Sequence, residues 1–277
     1  MSQLVFRCSS LGKIMTEPKS IDPSLLVGDL LTLHKSRPSN DEDKAHKEAK
    51  LKPLRDRTLS EGAKTYIRQI AAQDIFGVEF EVSSKQMEKG IAVEDESIEL
   101  LNRVRGLNLR KNTERKTNGW ITGEADLVNA PVRGHDLKSS WSVATFPISV
   151  ADCLDELYAW QMRGYMLLWD VEEWEVNYAL VDTPEKLIGY EPIQLHAVSH
   201  IPEHMRLTTW TIKRDRSLEA LMRTKVEAAR IYYAEVIREF DRTHTIGDVV
   251  APVSAPSNPT PKPQAAAITS ELPEHAF

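Results

Sequence analysis

Cysteine is almost missing from this chain. Cys8 and Cys153 are the only two among 277 residues, and no CxxC or paired Cys/His spacing accompanies them. That excludes a disulfide framework and a structural zinc site, and a reducing cytosol is the expected setting. Long apolar runs are also missing. No stretch approaches the eighteen or so residues of a membrane span, and the start "MSQLVFRCSS" is too short and too polar, with Arg7 in it, for a signal peptide. The eight histidines contain no HExxH, and "SLGK" with scattered glycines makes no P-loop, so no ATP site is expected. The net charge of −6 argues against a protein that coats nucleic acid nonspecifically, but a single basic groove is governed by local charge.

What is present is an ordinary globular composition, 41% hydrophobic and 27% charged. At this length a sizeable core can form. Residues 1–246 are expected to form one domain. It comprises a charged, helical N-terminal part (1–57), a core (58–182), and a strand with a long C-terminal helix (183–246). Residues 247–277 are rich in proline and alanine and are expected to be disordered. Ser9 or Ser10 is placed to cap a short first helix. The segment 36–57 reads as a solvated loop with some helix. "TLSEGAKTYIRQIAAQDIFG" reads as a helix capped by Ser60 and ended by Gly77. Ser84–Arg105 reads as one long helix with Glu94 in its middle. "WITGEADLV", "RGHDLKSS", "WEVNYALVD" and "RLTTWTIKR" read as strands, and 218–240 as an amphipathic helix. The order predicts an α/β fold with a central mixed β-sheet flanked by helices.

In "HDLKSS" residues two apart share a face. Asp136 and Lys138 then point together while Leu137 points inward, and "GEADLV" as partner strand brings Asp126 beside Asp136. Two adjacent carboxylates repel unless a cation lies between them. A hard, oxygen-seeking divalent ion suits that place, and Lys138 could orient or help deprotonate a water there. His135 points the other way and carries no assigned role.

Asp126 followed ten positions on by Asp136-Leu137-Lys138 resembles the PD-(D/E)XK nuclease signature, with Asp136 where many relatives have Glu. Two further motifs sharpen this. "KGIAVEDESIELL" resembles the G-x-x-x-E helix of the YqaJ and phage-lambda-exonuclease branch. "WQMRGYM" matches the Q-x-x-x-Y helix of RecB-like nucleases through Gln161 and Tyr165. "FRCSSLGKIM" is similar to the start of YqaJ-like phage proteins. The resemblance covers roughly 7–182 and implies a restriction-endonuclease-like core and a metal-dependent deoxyribonuclease.

It also implies roles. Glu94, Asp126, Asp136 and the Leu137 carbonyl would hold Mg²⁺, with Mn²⁺ as a substitute. Asp95, Glu96 and Glu124 stand as alternatives to Glu94. Lys138 would serve the attacking water, and Gln161 and Tyr165 would support substrate or geometry. Arg7, Ser9, Ser10 and Lys13 would suit a terminal phosphate. The favoured role is a phage-type exonuclease on linear double-stranded DNA, working in recombination with a single-strand annealing protein. A homo-oligomer and the host cytoplasm fit that role. An endonuclease of the same fold and a non-cleaving DNA- or protein-binding module are the alternatives. The run Arg103, Arg105, Arg110, Lys111, Arg115 and Lys116 reads either as a solvated surface or as a phosphate-tracking edge. Trp141 and Trp160 read as core residues or as stacking platforms.

Overall fold

A computed structural model describes residues 4–80 and 83–245. The proline-rich segment from 247 onward lies outside the described residues. The chain opens with β1 (Phe6–Arg7), a 3-10 turn and α1 (Leu11–Ile14). The helices α2 (Gly28–Lys35), α3 (Asp41–Arg57), α4 (Glu61–Phe76), α5 (Lys85–Ala92) and α6 (Glu94–Arg105) follow. Next come β2 (Arg115–Thr117), β3 (Ile121–Glu124), β4 (Leu127–Asn129), β5 (Arg133–Ser139), α7 (Glu156–Trp169) and β6 (Glu173–Ala179). The last elements are α8 (Glu185–Ile188), β7 (Leu207–Lys213) and α9 (Arg216–His244).

Helix ends follow their sequence signals. Ser60, Ser84, Asp155 and Asp215 each accept a backbone N–H as N-caps, and Gly77 and Gly106 close α4 and α6 at φ 64° and 63°. Neither Ser9 nor Ser10 caps α1 through its side chain, because a 3-10 turn over Cys8–Ser10 runs into the helix. Segment 36–57 is mostly helix rather than loop. Asn40 caps α3, three acidic residues fill its first turn and Arg55 and Arg57 its last, so the helix dipole is matched at both ends. The expected long helix 84–105 is two helices. Val93 leaves helical geometry at φ −117° and ψ 17°, and Glu94 becomes the first residue of α6 rather than mid-helix.

The expected central sheet is two sheets, and "WITGEADLV" feeds both. One has order β1-β3-β2, with β1 and β3 parallel. The other has order β4-β5-β6-β7, parallel only between β5 and β6. The step between them is Ala125-Asp126. Its carbonyls are satisfied by Asn112, whose backbone N–H donates to the Asp126 oxygen at 2.7 Å and whose side chain donates to that of Ala125 at 2.9 Å. Beyond the step, register resumes with Leu127 opposite His135.

The main core lies between the sheets and α1, α4, α7 and α9. It is built on Phe6, Leu11, Ile67, Ile121, Met162, Tyr165, Trp174, Val176 and Val226. The other face of β5–β6 packs on α6 through Val93, Leu100, Ala179, Val181 and the partly buried Leu137. Lys89 is fully buried and donates to the carbonyls of Ser140, Trp141 and Val181 at 2.6, 3.1 and 2.9 Å. It therefore ties α5 to the ends of β5 and β6. Burial pulls its pKa down to about 8.

Candidate active site

The pleat of β5 puts Asp136 and Lys138 on the face that carries the main core. Lys138 Nζ lies 2.8 Å from Asp136 Oδ2, and its ammonium sits over the Tyr158 ring, 4.6 Å from the centroid. Burial alone would lower the Lys138 pKa, but the Asp136 carboxylate outweighs it and holds the lysine above its ordinary value. Asp136 is 1% exposed. Its Oδ2 receives no well-directed hydrogen bond; the lysine beside it acts as a charge partner.

Asp126 sits on the step between the sheets and is partly buried. Its Oδ2 accepts the Leu137 N–H at 2.9 Å, which fixes the carboxylate against β5 next to Asp136. Burial and then the Asp136 charge push its pKa up to about 7, against an ordinary 3.8. Two carboxylates this close, both shielded from bulk water, store repulsion that a cation would relieve.

Glu94, at the start of α6, is partly buried, and its charge acts on Asp126. Its carboxylate is ion-paired with Lys111. The rival acids lie elsewhere. Asp95 and Glu96 are exposed, Glu96 within the fields of Asp182, Arg206 and Lys89. Glu124 is bonded to Arg115 at 3.0 Å. Among the described residues no three acidic or histidine side chains converge as a cation cage, and lysines pair with Glu94 and Asp136. The donor set nonetheless fits a hard divalent ion. All its ligands are oxygens, Asp126 and Asp136 are adjacent, and one Asp136 oxygen lacks a directed bond.

Gln161 and Tyr165 lie one turn apart on α7. Gln161 Nε2 donates to the Tyr165 hydroxyl at 3.2 Å, and that hydroxyl donates to the Glu124 carbonyl at 3.1 Å. Burial pushes the tyrosine pKa up, so it remains a neutral donor. The pair braces the end of β3, two residues before Asp126.

Arg7, Ser10 and Lys13 line a groove of about 720 Å³ with Tyr66, separate from Asp126 and Asp136; Ser9 does not line it. Since α1 is only four residues long, it offers no developed helix terminus to an anion. The basic run 103–116 is largely spoken for. Arg103 pairs with Glu99 and Glu203, Arg105 with Glu175, Lys111 with Glu94 and Arg115 with Glu124. Trp141 and Trp160 are buried, which favours core packing. On the opposite face of β5, His135 and Arg133 converge with Arg105 on the buried Glu175. Sequence reasoning missed that cluster, and it missed Lys111 and Tyr158 as neighbours of the acidic site. No sequence spacing signals these, because each contact is made across the fold.

No protein-family model matches the chain, and no curated protein matches it. Among solved structures, a phage-related exonuclease from Haemophilus somnus 129PT is similar, with 34% identity and a TM-score of 0.69 over 86% of this chain and 97% of that one. LHK-Exo, an alkaline exonuclease from Laribacter hongkongensis, superposes with a TM-score of 0.55 over 88% of this chain and 95% of its own, at 12% identity. Its complex with dAMP gives 0.52 over 87% and 93%, at 14% identity. These last two express a likeness of fold alone.

Proposed function

Because the chain belongs to the phage-exonuclease, YqaJ-like branch of the PD-(D/E)XK nucleases, we propose that it is a divalent-metal-dependent exonuclease that degrades linear double-stranded DNA. The observation that carries this is the close pair Asp126 and Asp136 with Lys138 on the same side of β5. In this reading Glu94, Asp126, Asp136 and the Leu137 carbonyl hold Mg²⁺, with Mn²⁺ able to replace it. Bound there, the metal would neutralise charge on the scissile phosphate and acidify a water. The residues do the rest. The Leu137 amide keeps the Asp126 carboxylate aimed at Asp136. Lys138, seated on Tyr158, holds its charged ammonium beside Asp136, where it would orient the attacking water. Gln161 and Tyr165 keep the end of β3, and thus Asp126, in register with β5.

Arg7, Ser10 and Lys13 supply cations and a hydroxyl suited to a DNA terminal phosphate, and Ser9 lies beside them in sequence. Resection of ends for recombination, with an annealing partner and a homo-oligomeric assembly, is the role that fits such an activity.

The test is digestion of linear and covalently closed duplex DNA with Mg²⁺, alongside EDTA and Lys138→Ala controls. Loss of linear DNA alone, abolished by both controls, is the expected result. Cutting of closed circles would replace the exonuclease reading with an endonuclease. DNA binding without any cutting would overturn the catalytic assignment of Asp126, Asp136 and Lys138.

A further inference from the structure

We propose that Lys111 is the built-in counter-ion of Glu94: it holds that carboxylate at the site in the metal-free protein and competes with the divalent cation for it. The inference rests on the metal-binding reading above, and it concerns a residue which that reading leaves without a task.

Lys111 is not a loosely placed surface lysine. Its backbone forms a bridge with Leu127, the first residue of β4. The next residue, Asn112, clamps both carbonyls of the sheet step on which Asp126 stands. The Lys111 main chain is thus fixed relative to Asp126, and only its four-carbon side chain is free to swing. That side chain reaches across to α6 and pairs with Glu94. Glu94, Asp126 and Asp95 all favour its charged form.

The other half of the site repeats the arrangement, with Lys138 on Asp136. Glu94 and Asp136 therefore each carry their own lysine. The two lysines differ in burial. The Lys138 side chain, seated on the Tyr158 ring, is 26% exposed, whereas that of Lys111 is 50% exposed. A half-exposed pair is weak, so a compact divalent ion with oxygen preference can displace it. The released ammonium then stays tethered at the edge of the site. Lys111 accordingly sets how much cation is needed to recruit Glu94, and it limits repulsion between the acids and DNA until that happens.

The experiment titrates Mn²⁺ into the full-length protein without DNA, with free Mn²⁺ read by electron paramagnetic resonance. Lys111→Met is expected to tighten binding on the order of three- to five-fold, the loss of a weak competing pair. Arg110→Met removes the same charge from the exposed neighbouring position and is expected to change binding less. In a Glu94→Gln background the two substitutions are expected to become equal. Lys111→Gln serves as a second variant of similar length should Lys111→Met unfold. Equal effects of Lys111→Met and Arg110→Met in the otherwise unchanged protein would overturn the inference, as would weaker binding in Lys111→Met. If the unchanged protein binds no Mn²⁺ at all, the metal-binding reading falls, and this inference falls with it.

Discussion

Asp126 should cost the metal-free protein stability, and replacing it with asparagine should show how much. The carboxyl is pushed up to about 7 from 3.8, first by burial and then by Asp136. The unfolded chain releases this proton near pH 3.8, while the folded chain keeps it to about pH 7. Between those values the native state binds more protons, so stability falls as pH rises, and it stays low above pH 7. At face value the shift bounds the cost at about 4 kcal/mol. Solvent reaching a partly buried group brings the expectation to about 2 kcal/mol. The asparagine side chain keeps an oxygen for the Leu137 N–H, so the 2.9 Å bond has a replacement acceptor. In EDTA, Asp126→Asn should therefore match the unchanged protein near pH 4. By pH 8.5 it should exceed it by roughly 4–8 °C in Tm, given about 2–4 °C per kcal/mol at this size. Thermal melts across that range decide the matter. Parallel curves, or a less stable variant at pH 8.5, would refute the reasoning. The variant should also lose nuclease activity, the familiar trade between a strained site and a comfortable fold.

Three other outcomes follow from packing and charge. Glu175 is held down to about 2: burial opposes this, but hydrogen bonding and charge from His135 and Arg105 outweigh it. Its contribution, about 3 kcal/mol, should be complete above pH 4.5 and lost between pH 4.5 and 2; acid denaturation of Glu175→Gln should lack that segment. A Cβ at Gly134 would run into the buried Trp174 ring, so Gly134→Ala should lower the unfolding free energy by about 1–3 kcal/mol in urea. Tyr165→Phe removes the donor to the Glu124 carbonyl. It should cost about 1 kcal/mol in urea unfolding and lower kcat more than stability, and an unchanged kcat would make the tyrosine purely a core residue.

The local relations within the candidate site could be read from residue order, and the reason is local geometry. A period of two in "HDLKSS" is enough to put Asp136 with Lys138, and a spacing of four is enough to put Gln161 under Tyr165. Those relations survive any tertiary arrangement. What failed depended on neighbours. The break at Val93 hides inside a continuous apolar pattern, because Ile91, Val93 and Ile98 fit one helix as well as two. The helix α3 was obscured for the opposite reason: only Leu51 in it is buried, so it has almost no apolar stripe to detect, and its support comes from end charges. The partition of one apolar strand into two sheets, and the pairing of Lys111 with a glutamate seventeen residues earlier, are set by how the sheets meet. The expected tail at 247–277 falls outside the described residues.

The two-residue step at Ala125-Asp126 carries an evolutionary consequence. Upstream, Gly123 is registered against Lys116; downstream, Leu127 is registered against His135. Asp126 is thus measured off from both directions, like a mark between two rulers. A single insertion or deletion within 121–129 would shift one ruler by a residue and turn its side chains to the wrong face. Length variation among natural variants of this chain should therefore spare this window. It should collect instead in segments that no ladder measures, such as 106–110 and 189–203.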